Sequence, residues 1–294
     1  MTDRTNSLIL HTTVTKYSTL AMDAELAREI AFDGIELSAS KVGNYLEAGY
    51  SKEELRQTLM GLNIPTLGFV TDIERTGEAF DELVKEAELH FELAAAAGAT
   101  AVQLITGPIQ VDAVRAYMSK TGFAGYSGLL GLDIAEQIKI TASNVAALAD
   151  RAQHFGLLVN FEALGWTPLN KLEHQLEVIE RTGRDNVRLI VDFWHCYVSG
   201  DTPEQVAKLP AGLIYGIHVC DSRQFAGGIP DESVLRNVST GEGVLDLQEW
   251  VDAVKATGYA DWWSCELFSK RDWQGNSRSV AGKLHDLMGR LIRP

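Results

Sequence analysis

Cysteine is scarce here and does not pair up. The 294 residues include only three, Cys196, Cys220 and Cys265, each in or just after an apolar run and none at a metal-ligand spacing. That argues against a disulfide framework, and the three are expected to be small buried hydrophobes in a reducing compartment. Positive charge is also short. Lys and Arg number 26 against 40 Asp and Glu, a formal net charge of −14. Such a surface repels phosphate backbones and anionic lipid, so nucleic acid and membrane are poor partners, although a small basic pocket can sit on an acidic body. No apolar run approaches the roughly 20 residues of a membrane span. The opening stretch MTDRTNSLILHTTVTK has too short an apolar core for a signal peptide. A cytoplasmic protein is expected. No glycine follows the first β-type run, SLILHTTVTK, where a dinucleotide fold needs one to let the backbone approach a pyrophosphate.

What the chain does have is alternation. Short β-type runs and longer helical patterns follow one another without a linker, low-complexity tract or composition break. The runs are SLILH (7–11), GIELS (34–38), IPTLGFV (64–70), TAVQLI (100–105), LLVNFE (157–162), VRLIVD (187–192), LIYGIHV (213–219) and WWSCEL (262–267). Helical patterns cover 20–32, 51–62, 76–97, 134–155, 169–182, 203–208, 246–257 and 278–291. Ser51 with Glu54 has the form of a capping box, and Gly98 marks a helix stop. Eight βα repeats predict an α/β fold, a parallel eight-stranded (β/α)8 TIM barrel with outer helices, in a single domain over 1–294. Two connections, 106–133 and 221–244, are long enough to be candidate lids. The tryptophans at 262, 263 and 273 are read as exposed near the mouth, in a pocket or subunit contact, with core packing as the default for such residues.

The later runs end, or nearly end, on Glu162, Asp192, His218 and Glu266. The C-terminal strand ends of a barrel meet at one mouth, so these four groups are expected to face one point. Three crowded carboxylates repel one another and drive each other's pKa upward. A divalent cation resolves that conflict. Three oxygen donors and one imidazole suit Mn²⁺ first, with Mg²⁺, Co²⁺ or Zn²⁺ as alternatives. His218 lies within the apolar run IYGIHVCDS and is read as the ligand. His195, three residues past Asp192, is expected to support the site or touch substrate, the alternative being packing on Trp194 or Tyr197. His11 also ends a strand and points to the mouth, as a substrate contact or as a neutral hydrogen-bonded histidine.

The stretches NFEALGW, LIVDFWHCY, IYGIHVCDS, STGEGVLDLQEWVDAVKATGY and WWSCELF together resemble the xylose-isomerase-like TIM barrels, the sugar phosphate isomerase/epimerase group. The likeness runs from about residue 30 to 290. Within the group the chain looks most like the 2-keto-myo-inositol (inosose) isomerases, with the 3-dehydroshikimate dehydratases close behind and the ketose 3-epimerases more distant. The resemblance implies one divalent metal on Glu162, Asp192, His218 and Glu266, with both glutamates near the reacting carbons. It also implies a substrate-contacting arginine after the histidine ligand. Arg223 and Arg236 are the candidates, and Arg236 better fits the spacing to the following glycine turn. Thr240 stands in place of that turn's usual proline, and Trp194 where small residues are frequent, which leaves the exact substrate open.

These expectations define a metal-dependent isomerase or epimerase acting on a polyhydroxylated ketone by proton transfer through an enediolate. Loss of a β-hydroxyl from the same intermediate would make it a dehydratase. The alternative in another class is a non-catalytic sugar-binding barrel. A DNA-repair nuclease on the same scaffold would need more ligands for a metal cluster and a basic face, and seven histidines with a charge of −14 argue against it.

Overall fold

Alternation along each strand decides which side chains face the barrel axis. The computed structural model describes residues 5–293; the first four residues of the opening stretch, and Pro294, lie outside the described residues. The first half of the chain runs β1 (Ser7–His11), α1 (Leu20–Ile30), β2 (Gly34–Ser38), α2 (Ala39–Glu47), α3 (Lys52–Leu59), β3 (Leu67–Val70), α4 (Glu78–Ala97), β4 (Ala101–Ile105), α5 (Val111–Met118) and α6 (Ile134–His154). The second half runs β5 (Leu158–Glu162), α7 (Leu172–Thr182), β6 (Val187–Asp192), α8 (Phe193–Ser199), α9 (Pro203–Val206), β7 (Ile214–His218), α10 (Glu232–Leu235), α11 (Leu247–Ala256), β8 (Trp262–Ser264), α12 (Lys270–Trp273) and α13 (Ser277–Ile292). Every strand pairs in parallel with the next, and β8 pairs with β1, so the sheet closes into the expected barrel.

The outward set, including Leu8, Leu10, Ile35, Leu37, Val102, Leu104, Val159, Phe161, Leu189 and Val191, packs with the helices into one large apolar layer. The inward set starts from a small plug of Ile9, Ile190 and Trp262. Gly216 makes room for that plug, because a Cβ there would overlap the Trp262 ring. Two residues further along each strand, the same inward phase carries His11, Glu36, Gln103, Glu162, Asp192, His218 and Ser264. All of these are buried.

The capping box on α3 is formed, with Ser51 and Glu54 exchanging hydrogen bonds. Gly98 ends α4 in the left-handed region, at φ 75°. Several boundaries differ from expectation. β3 begins at Leu67 rather than at 64, since Pro65 has no N–H to give to a ladder. β8 stops at Ser264, so Glu266 lies just past the sheet. The tryptophans at 262 and 263 are buried, not exposed; Trp262 fills the barrel and Trp263 joins the layer beneath the helices. Trp273 is half-buried at the mouth. The three cysteines are free and buried, as expected.

Candidate metal centre

β6 and β7 lie in register with Asp192 beside His218, and β4 and β5 with Ile105 beside Glu162. This levels the inward groups at the C-terminal mouth. His218 Nδ1 lies 3.3 Å from Glu162 Oε1, 3.7 Å from Asp192 Oδ2 and 4.0 Å from Glu266 Oε2. One ring nitrogen thus faces three carboxylates from three other strand ends. Donor atoms of Glu162, Asp192 and His218 all lie within 4.8 Å of one another. Glu162 Oε1 and His218 Nδ1 are both buried without a hydrogen-bond partner among the described residues. Two orphaned donors aimed at one point fit a divalent cation, which would satisfy both and neutralise the acids.

The remaining atoms of these groups are held from behind. Glu36 Oε1 lies 3.1 Å from His218 Nε2, and its Oε2 accepts from Ser264 Oγ at 2.8 Å. A proton on Nε2 leaves the Nδ1 lone pair for a cation, the usual arrangement for an imidazole ligand. Gln103 Nε2 donates to Glu162 Oε2 at 2.6 Å. Asp192 Oδ1 accepts from the backbone N–H of His195 at 2.7 Å, which caps α8. Its Oδ2 accepts from the Cys220 thiol at 2.9 Å.

The electrostatics separate the acids. Burial first, and then neighbouring Asp192 and Glu266, push Glu162 up to about 7. Burial also acts to raise Glu266, but Arg236, His11 and His218 overcome it and bring Glu266 down to about 2. Arg236 Nη2 sits 2.7 Å from Glu266 Oε2. Burial would lower His218, yet Glu36 and Glu162 outweigh it and hold the imidazole well above its ordinary range. A cation entering here competes with the His218 proton.

The other expected site residues divide. His11 accepts from the Thr13 N–H at Nδ1 (3.1 Å) and turns Nε2 toward Glu36 (3.7 Å) and Glu266 (3.8 Å). His195 accepts from the Gly165 N–H at Nδ1 (2.9 Å), so its proton is on Nε2. Burial lowers it to about 4, which keeps it neutral. It also packs on Trp194, with ring centroids 4.9 Å apart, the contact that the alternative packing reading named. Arg236 is buried between the Trp194 ring (5.3 Å) and the Phe268 ring (4.4 Å). It reaches Glu266, Asp192 and Glu232. Arg223 is not brought to the cluster: it is exposed, and its guanidinium donates to the Asn237 carbonyl at 2.7 and 3.0 Å.

Sequence reasoning passed over Glu36 and Gln103. The signal was present, since each is a polar residue flanked by apolar neighbours within a short strand, in GIELS and AVQLI. Asp221 was also passed over. Its carboxylate accepts from the N–H groups of Ser222, Gly241, Gly243 and Leu245 and so shapes the turn after Arg236. A cavity of about 660 Å³ opens beside the cluster, lined on its buried side by His11, Glu36, Gln103 and Glu266.

The model of the xylose isomerase-like TIM barrel family matches residues 24–288. The chain belongs to that family. Among characterised relatives, the inosose isomerase of Bacillus subtilis (strain 168) is 30% identical over 139 residues, 46% of this chain and 49% of that protein. The 3-dehydroshikimate dehydratase of Pseudomonas aeruginosa is 26% identical over 261 residues, 87% of this chain and 37% of that one. The matches therefore span about half or less of those relatives' length. Among solved structures, the IOLI protein with a zinc atom superimposes with a TM-score of 0.84 at 20% identity, covering 97% of this chain and 98% of that chain. An L-ribulose 3-epimerase superimposes with a TM-score of 0.70 at 21% identity, covering 98% and 95%. At these identities the likeness speaks to the fold.

Proposed function

We propose that the protein is a divalent-metal-dependent isomerase or epimerase of a polyhydroxylated ketone, acting by proton transfer through an enediolate. The observation that carries this reading is the meeting of Glu162 Oε1, Asp192 Oδ2 and Glu266 Oε2 around His218 Nδ1, two of these atoms being buried without a hydrogen bond. The zinc in the IOLI structure and the activities of the inosose isomerase and ribulose epimerase relatives support it.

Glu162, Asp192, His218 and Glu266 would hold the cation, Mn²⁺ in the first instance, which when bound supplies Lewis-acid stabilisation of the enediolate. The protein's own groups divide the proton work. Glu266, kept ionised by Arg236, is the carboxylate ready to accept a proton from carbon. Glu162, whose Oε2 is held by Gln103, shares this proton work and returns the proton. Neutral His195, with its proton on Nε2, and His11 orient substrate oxygens, and Arg236 fixes Glu266. Return of the proton to the neighbouring carbon isomerises, and return to the opposite face epimerises.

The test is solvent hydrogen exchange followed by NMR. Metal-loaded protein in D₂O should place deuterium on 2-keto-myo-inositol and form an isomer; metal-stripped protein should not. Glu266→Gln should slow exchange by about 10²-fold or more. Full exchange in that variant would remove Glu266 from the proton path, and no exchange on any polyol ketone would contradict the activity. A dehydratase is the second reading, favoured by the dehydratase match extending over 87% of the chain against 46% for the isomerase. Rising ultraviolet absorbance on 3-dehydroshikimate would select it.

A further inference from the structure

The cavity beside the centre reaches away from the ligands, over the C-terminal ends of β1–β3. Its exposed lining includes Lys16, Phe69 and half-buried Trp273. The other charged groups in its wall already have partners. Lys41 gives its ammonium to Asp23 at 2.6 Å. Glu36 is engaged by His218 and Ser264, and Glu266 by Arg236. His90 Nδ1 lies 2.8 Å from the Glu86 carbonyl. Lys16 differs: among the described residues no carboxylate pairs with it, and its Nζ rests 3.7 Å from the centroid of the Trp273 ring. Trp273 is pinned in turn by Nε1 donating to the Thr13 carbonyl at 2.8 Å.

A cation lying on an aromatic face is positioned without using up its hydrogen-bond donors. The body of the protein carries a net charge of −14, which repels anions at long range. A neutral polyol makes no use of the charge on a free lysine in its pocket, whereas an anion gains from a local cation that offsets that field. A single ammonium balances a monoanion and would leave a phosphate dianion partly uncompensated.

We infer that the cavity takes a polyhydroxylated ketone bearing a carboxylate, and that Lys16, laid on Trp273, is the specificity-determining residue for it. This rests on the polyol-ketone reading above and narrows its substrate class.

The test is equilibrium binding of quinate and of quinate methyl ester to the metal-loaded protein, by titration calorimetry at low salt. The two probes share a hydroxylated ring and differ in charge. Wild type should prefer quinate by about tenfold, as expected of one charge-assisted hydrogen bond. Lys16→Gln should bring the ratio to about one, and Lys16→Arg should keep most of it. Lys85→Gln, an exposed lysine of α4 outside the cavity, should leave it unchanged. No preference in wild type, no binding of either probe, an unchanged ratio in Lys16→Gln, or a ratio lost equally in Lys85→Gln would overturn the inference. The readout is binding, so a protein that exchanges hydrogen on no ketone loses the proposed activity while this ratio stands or falls by itself.

Discussion

Asp192 answers two demands at once. One carboxylate oxygen caps α8 and the other faces His218 Nδ1, which is why an apolar strand ends on an acid with an imidazole three residues on. Sequence alone pointed to Glu162, Asp192, His218 and Glu266 because each interrupts or ends an apolar run. Glu36 and Gln103 were harder to see, since a polar residue in mid-strand looks the same whether it faces water or the barrel axis. Closure of the sheet puts both inside. Spacing to the glycine turn favoured Arg236 over Arg223, and in the folded turn the Arg236 side chain is the buried one. Glu36 gives a direct prediction. It orients His218 from behind, so Glu36→Gln should weaken divalent-metal affinity by about 10–100-fold with little change in fold by circular dichroism. Unchanged affinity in a calorimetric titration would remove Glu36 from the support of that ligand.

At the scale of strands and helices, period and order were legible and edges were not. The eight runs fell in the right places, yet β3 lost its first residues to Pro65 and β8 ended at Ser264. The two long connections hold short helices, α5 and α10, which had no separate periodic signal. An ion pair ties them together across the mouth, Arg115 to Asp231 at 2.7 Å. Strand packing offers a second prediction. Gly216 leaves the space that the Trp262 ring fills, so Gly216→Ala should destabilise the barrel by about 1–3 kcal/mol, the usual cost of overpacking. Urea unfolding would measure it, and a neutral result would mean that the inner plug is loosely packed.

The start of the 106–133 connection gives a pH prediction. Glu74 Oε2 accepts from the Gly107 N–H at 2.9 Å, and Asp72 Oδ1 from the Ile109 N–H at 2.8 Å. Burial raises Glu74 from 4.5 to about 7, so the folded chain holds that proton more tightly than the unfolded chain. The resulting stabilisation is complete below the unfolded value and is lost as pH rises through about 7. Its size is of the order of 3 kcal/mol. Glu74→Gln should therefore gain on wild type between about pH 5 and 8, read by urea unfolding with the metal centre saturated. A difference that does not change with pH would place the proton elsewhere.

For the whole molecule, barrel closure turns four residues spread over more than a hundred positions into one cluster, and the family match over residues 24–288 agrees with that architecture. A cation bound only by the folded chain must also stabilise it. Chelation should lower the melting temperature of wild type and leave that of an Asp192→Asn, His218→Gln double variant unmoved. The most direct test is a crystal structure with Mn²⁺, read from its anomalous signal. The account predicts one peak at the mouth, coordinated by Glu162, Asp192, His218 Nδ1 and Glu266. No peak there, or a peak held by other side chains, would contradict it.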